Sequence, residues 1–214
     1  MIKKRQNKIE RVRNIITTRI SGINTNYRGG PSLHFYHRVI QLRQQKPSVL
    51  DFIGSDPCVE MLYATLVSWD MNSRGAKMKD YSDFKKNIQQ NRDLFTETEK
   101  ALELFSWSQN KDIIPYLKEL YNSLILMETN SKLISNSKCL HFIFPKACLP
   151  IDGTNTLNKL YGNTGESRNK FIEVHQFAWD ILTEIANPKQ YLDNQWNRSE
   201  TKLVDNAIIL LDMQ

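Results

Sequence analysis

The stretch "DPCVEMLYATLVSWD", Asp56 to Asp70, decides the fold class. Val59, Leu62, Leu66 and Trp69 recur at intervals of three, four and three. That spacing lines one face of a helix, whereas a half-buried strand would alternate apolar and polar residues. Asp56 reads as the N-cap and Pro57 as the first helical residue, where the missing N–H leaves no bond unmade. The helix is expected to end near Asp70.

The same period recurs on both sides. Downstream of a connection containing Gly75, Tyr81, Phe84 and Ile88 mark a short helix. Thr96 and Glu99 read as a capping box ahead of Ala101, Leu102 and Phe105, and Ile113, Leu117, Leu120 and Leu124 carry a longer helix. Ser131 to Phe144 allow another, interrupted at Pro145, and Pro150 and Gly153 make residues 145–155 a constrained connection. Phe171, Val174, Ala178, Ile181 and Ile185 mark a helix that breaks near Pro188. Ser199 caps a terminal helix carrying Leu203, Ala207, Ile208 and Leu211. Upstream, Ile9, Val12, Ile16 and Ile20 give the N-terminal segment an amphipathic stripe; Ser21 to Pro31, with Gly22, Gly29 and Gly30, links it to a helix from Ser32. These patterns predict an all-α fold, a compact multi-helix domain. Residues 1–30 supply a basic helix and linker, and residues 31–214 a helical core in one domain.

The 214 residues carry 29 Lys plus Arg against 23 Asp plus Glu, a formal charge of +6. Seven of the basic residues but only Glu10 among the acidic ones fall in the first twenty, so the remainder is neutral by this count. Lys3, Lys4, Arg5, Lys8, Arg11 and Arg13 therefore form a candidate nucleic-acid surface, for duplex or single-stranded DNA. An anionic membrane, an acidic partner or an ordinary solvated helix face are the other readings. The apolar stretches at Ala207 to Leu211 and Leu140 to Phe144 are too short to cross a bilayer, and no signal-peptide core follows the N-terminal cations. The expected setting is intracellular, cytoplasmic or nucleoid-associated. Cys58, Cys139 and Cys148 lack metal-site spacing and read as reduced, buried small apolar residues. His34 and His37 want a third ligand before they suggest zinc. No reading requires a metal or a cofactor.

One segment carries chemistry: "SNSKCLHFIFPKACLPIDGTNTLNKLYG", Ser135 to Gly162. Lys138 is expected at the start of an apolar helix and Asp152 at the start of a polar-to-apolar segment, 14 residues on. A turn between them could bring both into one cleft. A partly desolvated lysine can attack a sugar C1′ as a neutral amine, and a carboxylate can assist deprotonation and stabilise developing positive charge.

Within this segment "NSKCL" and "LPIDGTNTLNKL" resemble the catalytic hairpin of helix-hairpin-helix DNA glycosylases and their lyase members. The resemblance implies a glycosylase-like fold, Lys138 as the nucleophilic lysine and Asp152 as the catalytic aspartate. The family's glycine-rich hairpin, which offers backbone amides to a DNA phosphate, is replaced here by "LISNSK". A second resemblance, through "LVSWDMNSRGAKMKDYSDF" and "SKCLHFIFPKACLPID", is to microbial helical proteins of unassigned activity.

Plainer roles stay open for each residue. Lys138 also fits a solvent-facing helix position, Asp152 a helix cap, and His141 a satisfied half-buried histidine; His175 joins no group by sequence. Trp69 could stack on a base while Arg74 and Lys77 hold phosphate, or it could anchor the core, as could Trp107, Trp179 and Trp196. The function expected is that of a nucleic-acid-associated helical protein, with a divergent base-excision glycosylase/lyase as its enzymatic form. A noncatalytic DNA-binding or protein-interaction module is the alternative.

Overall fold

Helix Leu133–Ile143, α9 in the order below, is buried on every side: each residue from Ser135 to Ile143 is inaccessible or nearly so. A helix covered all round must be central. The computed structural model describes residues 2–27, 29–72 and 77–212, and for Ile2, Lys3 and Asp212 only the backbone. Its helices are α1 (Ile2–Arg19), α2 (Gly22–Asn26), α3 (Pro31–Gln44), α4 (Val49–Ile53), α5 (Asp56–Leu66), α6 (Tyr81–Gln90), α7 (Arg92–Glu103), α8 (Ile113–Ser123), α9 (Leu133–Ile143), α10 (Lys159–Tyr161), α11 (Arg168–Thr183) and α12 (Glu200–Ile209). Among the described residues the extended pairing is one antiparallel bridge, Met78 to Met127. The chain is all-α.

α9 packs against α3, α5, α8 and α11, while α12, also buried from Thr201 to Ile209, packs against α1 and α11. Trp179 of α11 fills the interior as a core anchor, its indole N–H donating to the Ala147 carbonyl at 2.8 Å. The three cysteines are free and buried. Among the described residues no helix is long and apolar enough to cross a membrane.

Most boundaries follow the expected stripes, and the departures have physical reasons. Ser55 takes the N-cap position of α5, so Asp56 is already inside the helix and Pro57 follows it. The expected linker at 21–31 contains the short helix α2, which buries Ile23. Thr96 and Glu99 do not cap a helix of their own, because α7 begins at Arg92. Thr96 bonds back to the Arg92 carbonyl, and Glu99 caps a different helix: both its oxygens accept from Val49 N, at 2.9 and 2.8 Å, at the start of α4. Glu99 also pairs with Arg43 at 2.6 Å, so one carboxylate ties α3, α4 and α7 together.

α1 docks through Ile9, Val12, Ile15, Ile16 and Ile20, all buried. Four of its cations turn to partners within the fold. Arg5 pairs with Asp180 and Arg13 with Glu184 of the α11 region, each at 2.5 Å. Lys8 donates to the carbonyls of Lys159 and Leu160 in α10, and Arg11 to that of Leu211 just past α12. Cations at carbonyl-rich helix ends are favoured by the unsatisfied C=O groups there.

Candidate active site

α5 does not end in an ordinary cap. It passes into a wider turn, Val67–Met71, in which Trp69 (φ −98°, ψ 32°) and Asp70 (φ 62°, ψ 20°) leave helical geometry. Asp70 is the one described non-glycine residue in the left-handed region, a conformation aspartate tolerates better than most residues but still disfavours. At this break the Trp69 carbonyl accepts from a side chain rather than ending the helix ladder, and Trp69 lines a cleft.

Lys138 reaches that cleft from the middle of α9, not from a helix start as the sequence pattern suggests. It is 7% exposed and therefore not a solvent-facing residue. Its Nζ donates to the Trp69 carbonyl at 3.0 Å and stands 3.8 Å from Asp152 Oδ2. Asp152 is the N-cap of the wide turn Gly153–Asn158: Oδ1 accepts from Asn155 N at 2.8 Å. Its cap role and its place opposite Lys138 are therefore compatible, because they use different oxygens. The chain crosses from α9 to Asp152 through Pro145 and Pro150, and the Ser137 hydroxyl accepts from Ile151 N at 3.0 Å, which fixes the return.

A second lysine enters from α12. Lys202 lies with its Nζ 5.2 Å from the centroid of the Trp69 ring, and Lys138 Nζ lies 6.0 Å from it. Lys202 forms a short ion pair with Asp205, both side chains being almost wholly buried. Thr156 joins the two pairs, donating to Asp205 Oδ1 at 3.3 Å and accepting from Asp152 N at 3.0 Å. The Lys202–Asp205 pair and Thr156 are absent from the sequence reading. The signal available was that Ile209 and Leu210 fall outside the stripe of Leu203, Val204, Ala207, Ile208 and Leu211, so apolar residues occur on both sides of the terminal helix and leave no broad solvated face for its charges.

The cleft has two lobes that share Trp69, Asp70, Lys138, Asp152 and Asn155. One, about 210 Å³, is walled by Tyr27, Trp69 and Trp196; the other, about 510 Å³, opens past Met127, Ser131 and Thr164. Burial holds the Lys138 amine below its ordinary value; Asp152 and Asp205 oppose that fall, Lys202 adds to it, and Asp70 opposes it. Burial likewise pushes the Asp205 carboxyl up, against the pull of Lys202. Three carboxylates against two ammoniums make the interior suited to developing positive charge rather than to a phosphate.

The other sequence candidates fall elsewhere. Trp69 is half-buried, tilted against Tyr36 and edge-on to Phe142, with its indole N–H on the Ser32 carbonyl, so it is both a core anchor and a cleft wall. Lys77 is exposed, and its carbonyl accepts from Glu128 N beside the cleft residue Met127. Lys4 is exposed on α1; Arg5, Lys8, Arg11 and Arg13 hold the internal partners given above. Arg74 and the side chain of Lys3 lie outside the described residues. His141 is fully buried, with Nδ1 2.8 Å from the Cys148 carbonyl, and His175 has Nδ1 2.6 Å from the Phe171 carbonyl. Among the described residues neither Nε2 finds a hydrogen-bond partner. Among the described residues no group of three or more His, Cys, Asp or Glu could hold a metal ion.

No family model, curated protein or solved structure matches this chain.

Proposed function

We propose that the chain is a DNA-associated helical protein that excises a damaged base as a glycosylase/lyase, with Lys138 as nucleophile and Asp152 as its carboxylate partner. The observation that supports this reading is Lys138 Nζ, buried in the wall of an open cleft and 3.8 Å from Asp152 Oδ2. Desolvation favours the neutral amine that the chemistry requires.

The neutral amine of Lys138 attacks C1′ of an extruded nucleotide. A C1′–N bond to Lys138 forms as the bond from C1′ to the base breaks, and the electron pair of that bond leaves with the base, which takes up a proton from solvent. The attacking nitrogen, now positively charged, gives its proton to Asp152. Opening of the sugar ring converts the adduct to a Schiff base, with the ring oxygen protonated to a hydroxyl. Water then hydrolyses the imine and returns the free amine, or loss of a proton from C2′ expels the 3′ phosphate first. Asp152 and Asp70 stabilise the positive charge that builds on the sugar.

Borohydride trapping tests the reading on a panel of duplex and single-stranded DNAs bearing abasic sites or damaged bases. Lys138→Ala abolishes covalent capture, and Asp152→Asn slows it on the order of 10²- to 10⁴-fold. Circular dichroism and DNA binding of the same variants separate lost chemistry from lost fold. Capture undiminished in Lys138→Ala removes that lysine as the nucleophile.

A second reading is a noncatalytic DNA-binding or protein-interaction module; the internal bonds of Arg5, Lys8, Arg11 and Arg13, which turn these cations away from phosphate, favour protein interaction within it. On it, Lys138 and Asp152 are a structural pair, and the intact protein neither traps nor releases a base across the whole panel.

A further inference from the structure

Lys202 and Asp205 stand one helical turn apart on α12, with side chains 7% and 4% exposed. Taking two such charges out of water commonly costs as much as their attraction returns, and a packed apolar pair would serve stability as well. Their location gives them a different use. Asp205 is an acceptor when ionised, so the single proton of the Thr156 hydroxyl goes to it, at 3.3 Å. A hydroxyl lone pair is thereby left for Asp152 N, at 3.0 Å. With its backbone held there and Oδ1 engaged by Asn155 N at 2.8 Å, Asp152 turns Oδ2 toward Lys138.

We propose that Lys202, Asp205 and Thr156 are positioning residues of the cleft: the buried ion pair orients the Thr156 hydroxyl, the hydroxyl holds the Asp152 backbone, and Asp152 thereby sets the charge state and reactivity of Lys138. The assignment rests on Lys138 and Asp152 being the reacting pair. Among the described residues the charged groups acting on Lys138 belong to the same constellation: Asp152 from the cap of the wide turn, Asp70 from the break after α5, and Lys202 and Asp205 from α12. Lys202 also closes the space beside the Trp69 ring, so the two ammoniums share one aromatic neighbour.

The test reads Lys138 itself, without DNA. The full-length protein is labelled with trace acetic anhydride over a range of alkaline pH, and the acetylation rate of each lysine is measured by peptide mass spectrometry. Thr156→Val keeps the ion pair but breaks the link to Asp152. Release of the Asp152 carboxylate lowers the Lys138 pKa, so Lys138 labels faster at a given pH below it, by about threefold for half a pKa unit. Thr156→Ser restores the wild-type profile. In an Asp152→Asn background Thr156→Val adds nothing, because its effect passes through Asp152. Asp205→Asn moves Lys138 in the same direction; should that variant unfold, the Thr156 series decides alone. An unchanged Lys138 profile in folded Thr156→Val overturns the proposal, as does a full-sized effect persisting beside Asp152→Asn. Absence of trapping by the wild-type protein would instead remove the glycosylase reading while leaving these profiles as they are.

Discussion

The cations of α1 and the lysines of α9 and α12 sit in opposite surroundings. Arg5 and Arg13 are about half exposed and pair across the surface with Asp180 and Glu184. Lys138 and Lys202 are enclosed by aromatic rings, carboxylates and backbone carbonyls. In sequence the first group stands out by its density, Lys138 only by the segment that carries it, and Lys202 not at all. A charge count finds where a chain is basic; burial decides where a charged group acquires altered chemistry. Exposed pairs are screened and exchange with water, whereas an enclosed ammonium feels each neighbouring charge strongly.

The largest effect that sharpens this contrast is on stability at α12. Lys202→Met leaves Asp205 buried without its counter-charge and should cost about 3–5 kcal/mol. Lys202→Met together with Asp205→Leu should recover most of that, since the lone charge has gone too. Urea unfolding of the two variants checks the order; a single variant as stable as wild type would show that Asp205 is solvated.

Acid provides a second, intermediate effect. Burial lowers His141 to about 3 and His175 to about 4 from an ordinary 6.5. Below the ordinary value the unfolded chain binds protons that the folded chain refuses. Stability therefore holds above about pH 6.5 and falls as pH drops toward the folded values, by up to about 1.4 kcal/mol per pH unit for each imidazole. Urea midpoints at about pH 7 and about pH 5 measure this, and equal midpoints would mean that both rings are readily protonated in place.

The smallest effect belongs to α1. Arg5→Gln or Arg13→Gln should each cost about 0.2–1 kcal/mol, and less at high salt. A loss as large as that of Lys202→Met would erase the distinction between the two groups of cations.

What the sequence exposed followed from periodicity. Val59, Leu62 and Leu66 announce the buried face of α5, and Ile9, Val12, Ile16 and Ile20 that of α1, because burial on one side repeats with the helical turn. Ser199 and Asp152 show their cap roles through residue type and position, each accepting from a backbone N–H three residues on. Glu99 misled for a specific reason. Its spacing from Thr96 imitates a local cap, but the backbone N–H it satisfies is that of Val49 in α4, fifty residues away in sequence. Lys202 and Asp205 were hidden because a Lys and an Asp three apart on a helix look the same on a solvated face as inside. The packing of α12 against α1 and α11 leaves the pair no such face. The approach of Lys138 to Asp152 depends on the path through Pro145 and Pro150, and the helix end expected near Asp70 carries no local sign of the left-handed turn made there.

The measurement closest to the central claim locates the covalent bond. The intact protein is incubated with a duplex containing an abasic site, reduced with borohydride, digested, and the modified peptide sequenced by mass spectrometry. The account predicts one sugar adduct, on Lys138. An adduct on Lys202, on a lysine of α1, or on no residue of the protein would contradict it.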